Sequence, residues 1–306
     1  MLFSVVIPTY NRLRLLPSAL ESVWRQRFTD YEIIVVDDGS EDGTRCYLQR
    51  QRDRLHVLCQ ANRGPGAARN LGANEARGEY VAFLDSDDVW PSWTLEIFAG
   101  LICKHNSPAI LAGSVVEFWD ERELESIHPG PVRAEFYSDY FSSFYAGYFV
   151  GAGMAALRRD VLTGCGGFIE ERVNSEDHDL IFRLGTVPGF VQVLAPTTLA
   201  WRRHTASETA ARGRSFAGIL RMLEQERRAN YPGGASRARE RRDILTRHAR
   251  PVSISCLESG LVREGWRLYG ETFHWHALQR RWRYLLAFPL LALAAKCRPS
   301  FGKLRI

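Results

Sequence analysis

Four short apolar runs rich in β-branched residues, FSVVIPT at 3–9, YEIIVV at 31–36, LHVLCQ at 55–60 and EYVAFL at 79–84, recur through the first 84 positions with a helical stretch after each. After the first, Leu13, Leu16, Leu20, Val23 and Trp24 recur at helical spacing, with Pro17 tolerable only in the first turn of that helix. After the second, DDGSEDGT marks a turn and the cap of a helix starting near Glu41. The third is followed by ANRGPGAARNLGANEARG, a glycine-punctuated turn feeding an alanine-rich helix. A helix from Pro91 to about His105 and a strand AILAGSVVEFW at 109–119 extend the series. Such alternation specifies a parallel sheet flanked by helices, with right-handed connections and ligands beyond the carboxyl ends of the strands.

Acid collects at those ends. Asp37 and Asp38 follow the second strand, and Asp85, Asp87 and Asp88 follow the fourth, so the alternation places both clusters on one rim. One Asp at a strand end usually caps the next helix or fills a turn. Three beside two more exceed that need, and like charges so close repel unless something positive shares them. Hard oxygen ligands suit Mg2+ or Mn2+, which bind through one or two carboxylates together with substrate phosphates. A nucleotide diphosphate would complete such a shell.

The 306 residues are 45% hydrophobic, enough for one large domain with or without an appendage. The net charge of +5 conceals a division: residues 201–306 hold 22 Lys and Arg against 8 Asp and Glu, leaving 18 against 27 before them. The acidic first part argues against a nucleic-acid groove, whereas the basic tail suits phosphate, an anionic membrane or plain solvent. Six cysteines without paired short spacing fit a reduced, cytoplasmic compartment. Met1 to Ser4 leads directly into VVIP, so no secretory signal is expected, and no apolar run reaches the roughly 18 to 20 residues that cross a bilayer.

Taken together, VVIPTYNR (5–12), VVDDGS (35–40), NRGPGAARNLG (62–72), FLDSDD (83–88) and SEDHDL (175–180) resemble, in order and spacing, the family 2 glycosyltransferases of the GT-A fold. The resemblance covers about residues 2–205 and implies an α/β, Rossmann-like fold, a mostly parallel sheet flanked by helices, followed by a basic, mainly helical C-terminal extension. It divides the chain into a GT-A domain at 1–205, with a nucleotide-binding half at 1–110 and an acceptor-binding half at 111–205, and an extension at 206–306. It implies an inverting transfer of a sugar from a nucleotide diphosphate, a UDP-sugar first, to a hydroxyl of a glycan or lipid-linked acceptor. The cofactor would be Mn2+ or Mg2+.

By position, the resemblance puts Pro8 and Thr9 in the base pocket, Tyr10 against the base, Arg12 beside them, and Asp38 as acceptor from the base imide. Gly66 and Arg69 would lie near the nucleotide or its phosphates, Asp85 and Ser86 near the ribose, and Asp87 and Asp88 at the metal, the direct ligand of the two left open. Asp177 would be the catalytic base, supported by Glu176. WRRHTAS, with Arg202, Arg203 and His204, matches a flexible basic stretch that closes over the donor, where His204 would touch metal or diphosphate. Gly166, Gly167 and Phe168 would scaffold the acceptor side.

Blander readings stand beside these. Tyr10 could be packing, Asp38 a helix cap, and Glu176, Asp177 and Asp179 a solvated face. GPGAARN has Arg69 where a dinucleotide loop needs its third glycine. An inactive sugar-nucleotide or glycan-binding module of the same fold is one rival. A phosphotransferase using Asp37 or Asp38 is another, but it would want a lysine, and Lys104 is the only one before residue 200. In the tail, 282–298 sets about a dozen apolar residues between arginines, with Trp282 and Tyr284 at one border. That suits peripheral contact with an anionic membrane, at the cytoplasmic face of the inner membrane, or a buried amphipathic helix.

Overall fold

A computed structural model describes residues 1–204 and 212–297. The chain divides into two compact units, the first of Met1–Ser143, Tyr148–Arg172 and Glu176–Ser207, the second of Phe144–Gly147, Val173–Ser175 and Glu208–Ile306. The boundary expected at 205/206, the Thr205–Ser207 part of WRRHTAS, and Arg298 lie outside the described residues.

The first unit runs β1 (Phe3–Thr9), α1 (Leu16–Trp24), β2 (Tyr31–Asp37), α2 (Thr44–Gln49), β3 (His56–Cys59), α3 (Pro65–Glu75), β4 (Tyr80–Phe83), α4 (Thr94–Lys104), β5 (Ile110–Ala112), β6 (Val115–Phe118), β7 (Arg133–Tyr137), β8 (Ala155–Arg158), α5 (Arg159–Gly164), α6 (Glu176–Arg183), β9 (Phe190–Ala195) and β10 (Leu199–Arg202). Eight strands form one sheet in the order β3-β2-β1-β4-β8-β5-β9-β7. β3, β2, β1 and β4 run parallel, and β8 enters antiparallel between β4 and β5. β9 is parallel to β5, and β7 is antiparallel at the edge. Every residue of β1 and β4 is buried, as expected for strands covered on both faces.

Pro8 lies inside β1 although it cannot donate to a ladder. The β1–β4 pairing ends at Val6↔Phe83, and the Val6 carbonyl accepts from Leu84 N on that side. Two residues on, the missing N–H of Pro8 faces the same side, past the last β4 partner.

Two strand-like runs, the expected strand at 109–119 and GFVQVLAPTTLAWRRH at 189–204, are each broken in two, and the breaks share a cause. At 109–119 the run divides at Gly113–Ser114, where a Cβ on Gly113 would stand 2.2 Å from Thr198 Oγ1. Ser114 N donates to that same hydroxyl at 2.9 Å, and the backbone N–H groups of Thr198 and Leu199 donate back to Ser114 O. The final strand-like piece breaks correspondingly between β9 and β10, across a cis Ala195–Pro196 bond. β6 and β10 leave the main sheet and pair in parallel as a second, two-stranded sheet, and β10 also bridges Val89 through Ala200. α2 begins at Thr44 rather than near Glu41, because Glu41 N is held by Asn11 Oδ1 and Asp42 Oδ1 accepts from Thr44 N and Oγ1. β7 lies in a stretch whose polar, turn-rich composition hides it.

The second unit contains α7 (Arg212–Arg227), α8 (Ala238–Glu258), α9 (Val262–Leu278) and α10 (Trp282–Cys297). Leu257, Tyr269, Tyr284, Leu285, Phe288 and Ala292 form a core among α8, α9 and α10. Pro289 lies inside α10 and leaves Leu285 O without its helical donor. Tyr269 Oη fills that place, donating to Leu285 O at 2.9 Å. Between α7 and α8, fully buried Glu226 accepts from Arg241 Nε at 2.6 Å and from Arg242 Nε at 3.1 Å.

Candidate active site

The functional side chains of this site belong to the first unit, and parallel pairing of β1, β2 and β4 brings their carboxyl ends to one rim. The turn after β4 is set by Asp88 N donating to Asp85 O, and the β10 bridge pins the chain again at Val89. Arg202 is therefore a strand residue rather than part of a flexible loop. It is buried, its N–H donates to Asp88 Oδ1 at 2.9 Å, and its Nε donates to Asp87 O at 2.9 Å. Asp87 Oδ2 has His204 Nε2 at 2.9 Å and Arg12 Nε at 3.6 Å. The carboxyl of Asp88 is pushed well above the ordinary carboxylate range by burial, then by Asp85 and Asp87, against the pull of Arg202.

One guanidinium ties this cluster to the second. Arg69, buried on α3, donates to Asp85 Oδ1 at 2.7 Å and to Glu176 Oε1 at 2.8 Å, with the Phe168 ring 5.4 Å from its centre. α6 starts at Glu176, entered through Ser175 at a φ of +96°, so Glu176 and Asp177 head the helix where its free N–H groups favour negative charge. Asp177 Oδ1 accepts from His178 N at 2.7 Å, and Oδ2 from Ala152 N at 3.3 Å. Burial raises the Asp177 carboxyl, opposed first by Arg69; burial and then Asp177 raise that of Glu176. Burial also drops His178, beside Asp177, to about 4, so its imidazole is neutral near pH 7.

On the other flank, Thr9 ends β1, is buried, and its Oγ1 has no hydrogen-bond partner among the described residues. Tyr10 follows, 42% exposed, at a turn where Asn11 has a φ of +52° and its N–H donates to Ser40 Oγ. Asp38 is buried and holds the loop after β3, accepting from Gln60 Nε2, Arg63 N and Gly64 N at 2.7–2.8 Å. Asp37 accepts from Ser40 N at 2.9 Å and lies 3.4 Å from Arg45 Nε. Gly66 opens α3 against the loop after α5, where a Cβ would stand 2.3 Å from Ile169 O. Asn70 pins Phe168, accepting from its N–H at 2.7 Å and donating to its O at 2.8 Å. Pro8 and Ser86 are buried on the same rim.

Several neighbours escape sequence reading. Gly151 and Gly153 line the wall between the clusters: a Cβ on Gly153 would meet Asp85 Oδ2 at 3.1 Å, and one on Gly151 would meet Asp177 Oδ2 at 3.4 Å and Phe149 Cε1 at 3.2 Å. The Phe149 ring, 47% exposed, lies edge-on to His178 with centroids 4.6 Å apart. The dense aromatic stretch at 137–149 is the one signal that points there, and it does not single out Phe149.

The carboxylates fit a hard divalent cation. Asp88 is raised first by burial and then by the anionic oxygens of Asp85 and Asp87, a cost that a dication relieves, and His204 Nε2 adds a nitrogen beside Asp87. Among the described residues no three His, Cys, Asp or Glu side chains converge on one ion. Substrate oxygens would supply the remaining ligands, as is usual for Mg2+.

Residues 4–165, more than half of the chain, match glycosyl transferase family 2, and the chain belongs to that family. Poly(ribitol-phosphate) beta-N-acetylglucosaminyltransferase TarS of Staphylococcus aureus is 38% identical over 117 residues, 36% of this chain and 20% of TarS. The GalNAc(5)-diNAcBac-PP-undecaprenol beta-1,3-glucosyltransferase of Campylobacter jejuni is 44% identical over 90 residues, 28% of this chain and 29% of that enzyme. The chain thus spans less than a third of the length of these relatives. The crystal structure of TarS 1–349 in complex with UDP-GlcNAc superposes with a TM-score of 0.65 at 20% identity, over 96% of this chain and 88% of that one. Mannosyltransferase PcManGT of Pyrobaculum calidifontis, in complex with GDP-Man and Mn2+, gives 0.55 at 19% identity, over 95% and 86%. The shared fold is GT-A: a mixed, mostly parallel sheet flanked by helices, followed by a helical C-terminal region.

Proposed function

We propose that the chain is an inverting, metal-dependent glycosyltransferase that moves a sugar from a UDP-sugar to a hydroxyl of a glycan or lipid-linked acceptor, in surface polysaccharide or glycolipid synthesis. The observation that carries this is Arg69, one buried cation shared between the acid at the end of β4 and the pair that heads α6. Donor chemistry needs cationic and metal-binding groups at the diphosphate, acceptor chemistry needs a base, and the guanidinium holds the two sets in fixed relation. UDP-GlcNAc on a TarS structure of the same fold supports the donor class, and a PP-undecaprenol acceptor in the name of the C. jejuni relative supports the acceptor class.

Thr9, with its unpartnered hydroxyl, and Tyr10, with its open ring, would receive the base; Asp38 would hold the pocket's loop and accept from the imide. Pro8 and Gly66 would shape the pocket, and Asp85 and Ser86 would face the ribose. Asp87 and Asp88 would hold Mn2+ or Mg2+, which when bound stabilises charge on the leaving diphosphate. Arg12 and His204 beside Asp87 would carry that charge onward. Asp177 would take the acceptor proton: its raised carboxyl makes it a better base than a solvated aspartate, and Glu176 and Arg69 orient it. A neutral His178 keeps a competing positive charge away from it. Because this base serves the acceptor and does not attack the sugar, the expected route is single displacement with inversion. The chain would work on the cytoplasmic side, with peripheral contact to an anionic membrane through 282–298.

The test is nucleotide release from a panel of sugar nucleotides with Mn2+ and acceptor. Asp177→Asn is expected to cut kcat by about 10²–10⁴-fold while leaving donor binding intact, whereas Asp87→Ala abolishes both. Wild-type turnover untouched by Asp177→Asn would refute the base assignment. Donor binding without turnover for any acceptor would favour the inactive binding module.

A further inference from the structure

We infer that the outward face of α10 is a docking surface for an anionic lipid bilayer, on which the helix lies in the interface plane. This sharpens the membrane part of the proposed reading and is independent of the transfer chemistry. α10 is apolar nearly all round, but only one side is covered: Tyr284, Leu285, Phe288 and Ala292 face the core with α8 and α9. On the other side Trp282, Leu286, Leu290 and Leu293 are 54, 72, 68 and 60% exposed. Their spacing of four, four and three residues makes a continuous stripe. A helix hydrophobic on every side is ordinarily buried, and an apolar ridge of this size marks an interaction surface.

Charge decides what the ridge meets. From Thr272 onward the sequence has seven Arg and Lys and no Asp or Glu. Arg280 and Arg283, both exposed, stand at the Trp282 end. A second copy of the chain would set these cations against their own kind. An anionic headgroup layer neutralises them while the acyl boundary takes the leucines. No described helix is long and apolar enough to cross a membrane, so the ridge rests on the bilayer with its inner face still packed on the unit. The Tyr269–Leu285 bond and the Ser253–Tyr284 bond, at 2.9 and 2.8 Å, hold α10 from that inner side.

Co-sedimentation of the full chain with vesicles tests this. Wild type is expected to pellet with phosphatidylcholine vesicles containing roughly one third phosphatidylglycerol, and at least about tenfold less with pure phosphatidylcholine or at high salt. Leu286→Ser with Leu290→Ser, both outward-facing, is expected to lose binding by about tenfold or more while keeping the wild-type thermal transition and soluble-acceptor transfer. Arg280→Gln with Arg283→Gln is expected to weaken binding to the anionic vesicles only. Wild type remaining in the supernatant with anionic vesicles would overturn the proposal. So would equal pelleting of the leucine variant, or a wild-type dimer in solution that this variant converts to monomer. Transfer activity is scored separately, so failure of the catalytic reading leaves this result legible.

Discussion

Arg69 concentrates the site's electrostatics. Its guanidinium is the cation that lowers both Glu176 and Asp177, each of which burial raises. On the proposed base role, transfer would require Asp177 ionised, so the rate would rise with pH through its pKa. Without Arg69 that pKa climbs, and the acid limb of kcat/KM should move to higher pH. Arg69→Met is therefore expected to shift the limb upward as well as lower the plateau, whereas an unchanged limb would show that the pair is not electrostatically joined. Phe149 gives a second prediction. Its ring, 47% exposed and close to Asp177, would meet the apolar side of a pyranose acceptor on the proposed reading. Phe149→Ala should raise the acceptor KM by about two- to tenfold, the roughly 0.5–1.5 kcal/mol of a ring contact, and leave donor hydrolysis unchanged. An altered donor KM instead would put the ring on the nucleotide side.

At the scale of elements, α9 buries a titratable ring. His276 on α9 is fully buried against Tyr284, centroids 4.5 Å apart, and neither ring nitrogen has a hydrogen-bond partner among the described residues. Burial, with Arg281 and Arg250, lowers it to about 3. Unfolded, it titrates near 6.5, so between those values the unfolded chain binds the extra proton and stability falls as pH falls. Between about pH 6.5 and about pH 5 the wild type should lose about 1.5 kcal/mol more than His276→Leu in denaturant unfolding followed on the helical signal; parallel losses would contradict this. Elements were the most readable level of this chain. β1, β2, β4, α1 and α3 follow from β-branched runs, helical spacing and turn residues, all local signals. The breaks at 113–114 and 196–198 were not readable, because Ser114 and Thr198 make them by bonding each other across 84 positions. For the same reason the resemblance implied a place for Arg69 near the nucleotide or its phosphates without showing that it pairs with Glu176, 107 residues away.

For the whole molecule, the division of charge seen in the sequence follows the division of structure. An acidic α/β unit collects carboxylates on one rim, and a basic helical unit follows it. The account of the first unit rests on Asp87 and Asp88 needing a cation to receive a diphosphate. Calorimetric titration of UDP into the protein, with Mn2+ and with chelator, tests this most directly. The account predicts heat of binding with Mn2+, its loss with chelator, and its loss in Asp87→Ala. Equal UDP binding in chelator, unaffected by Asp87→Ala, would contradict it.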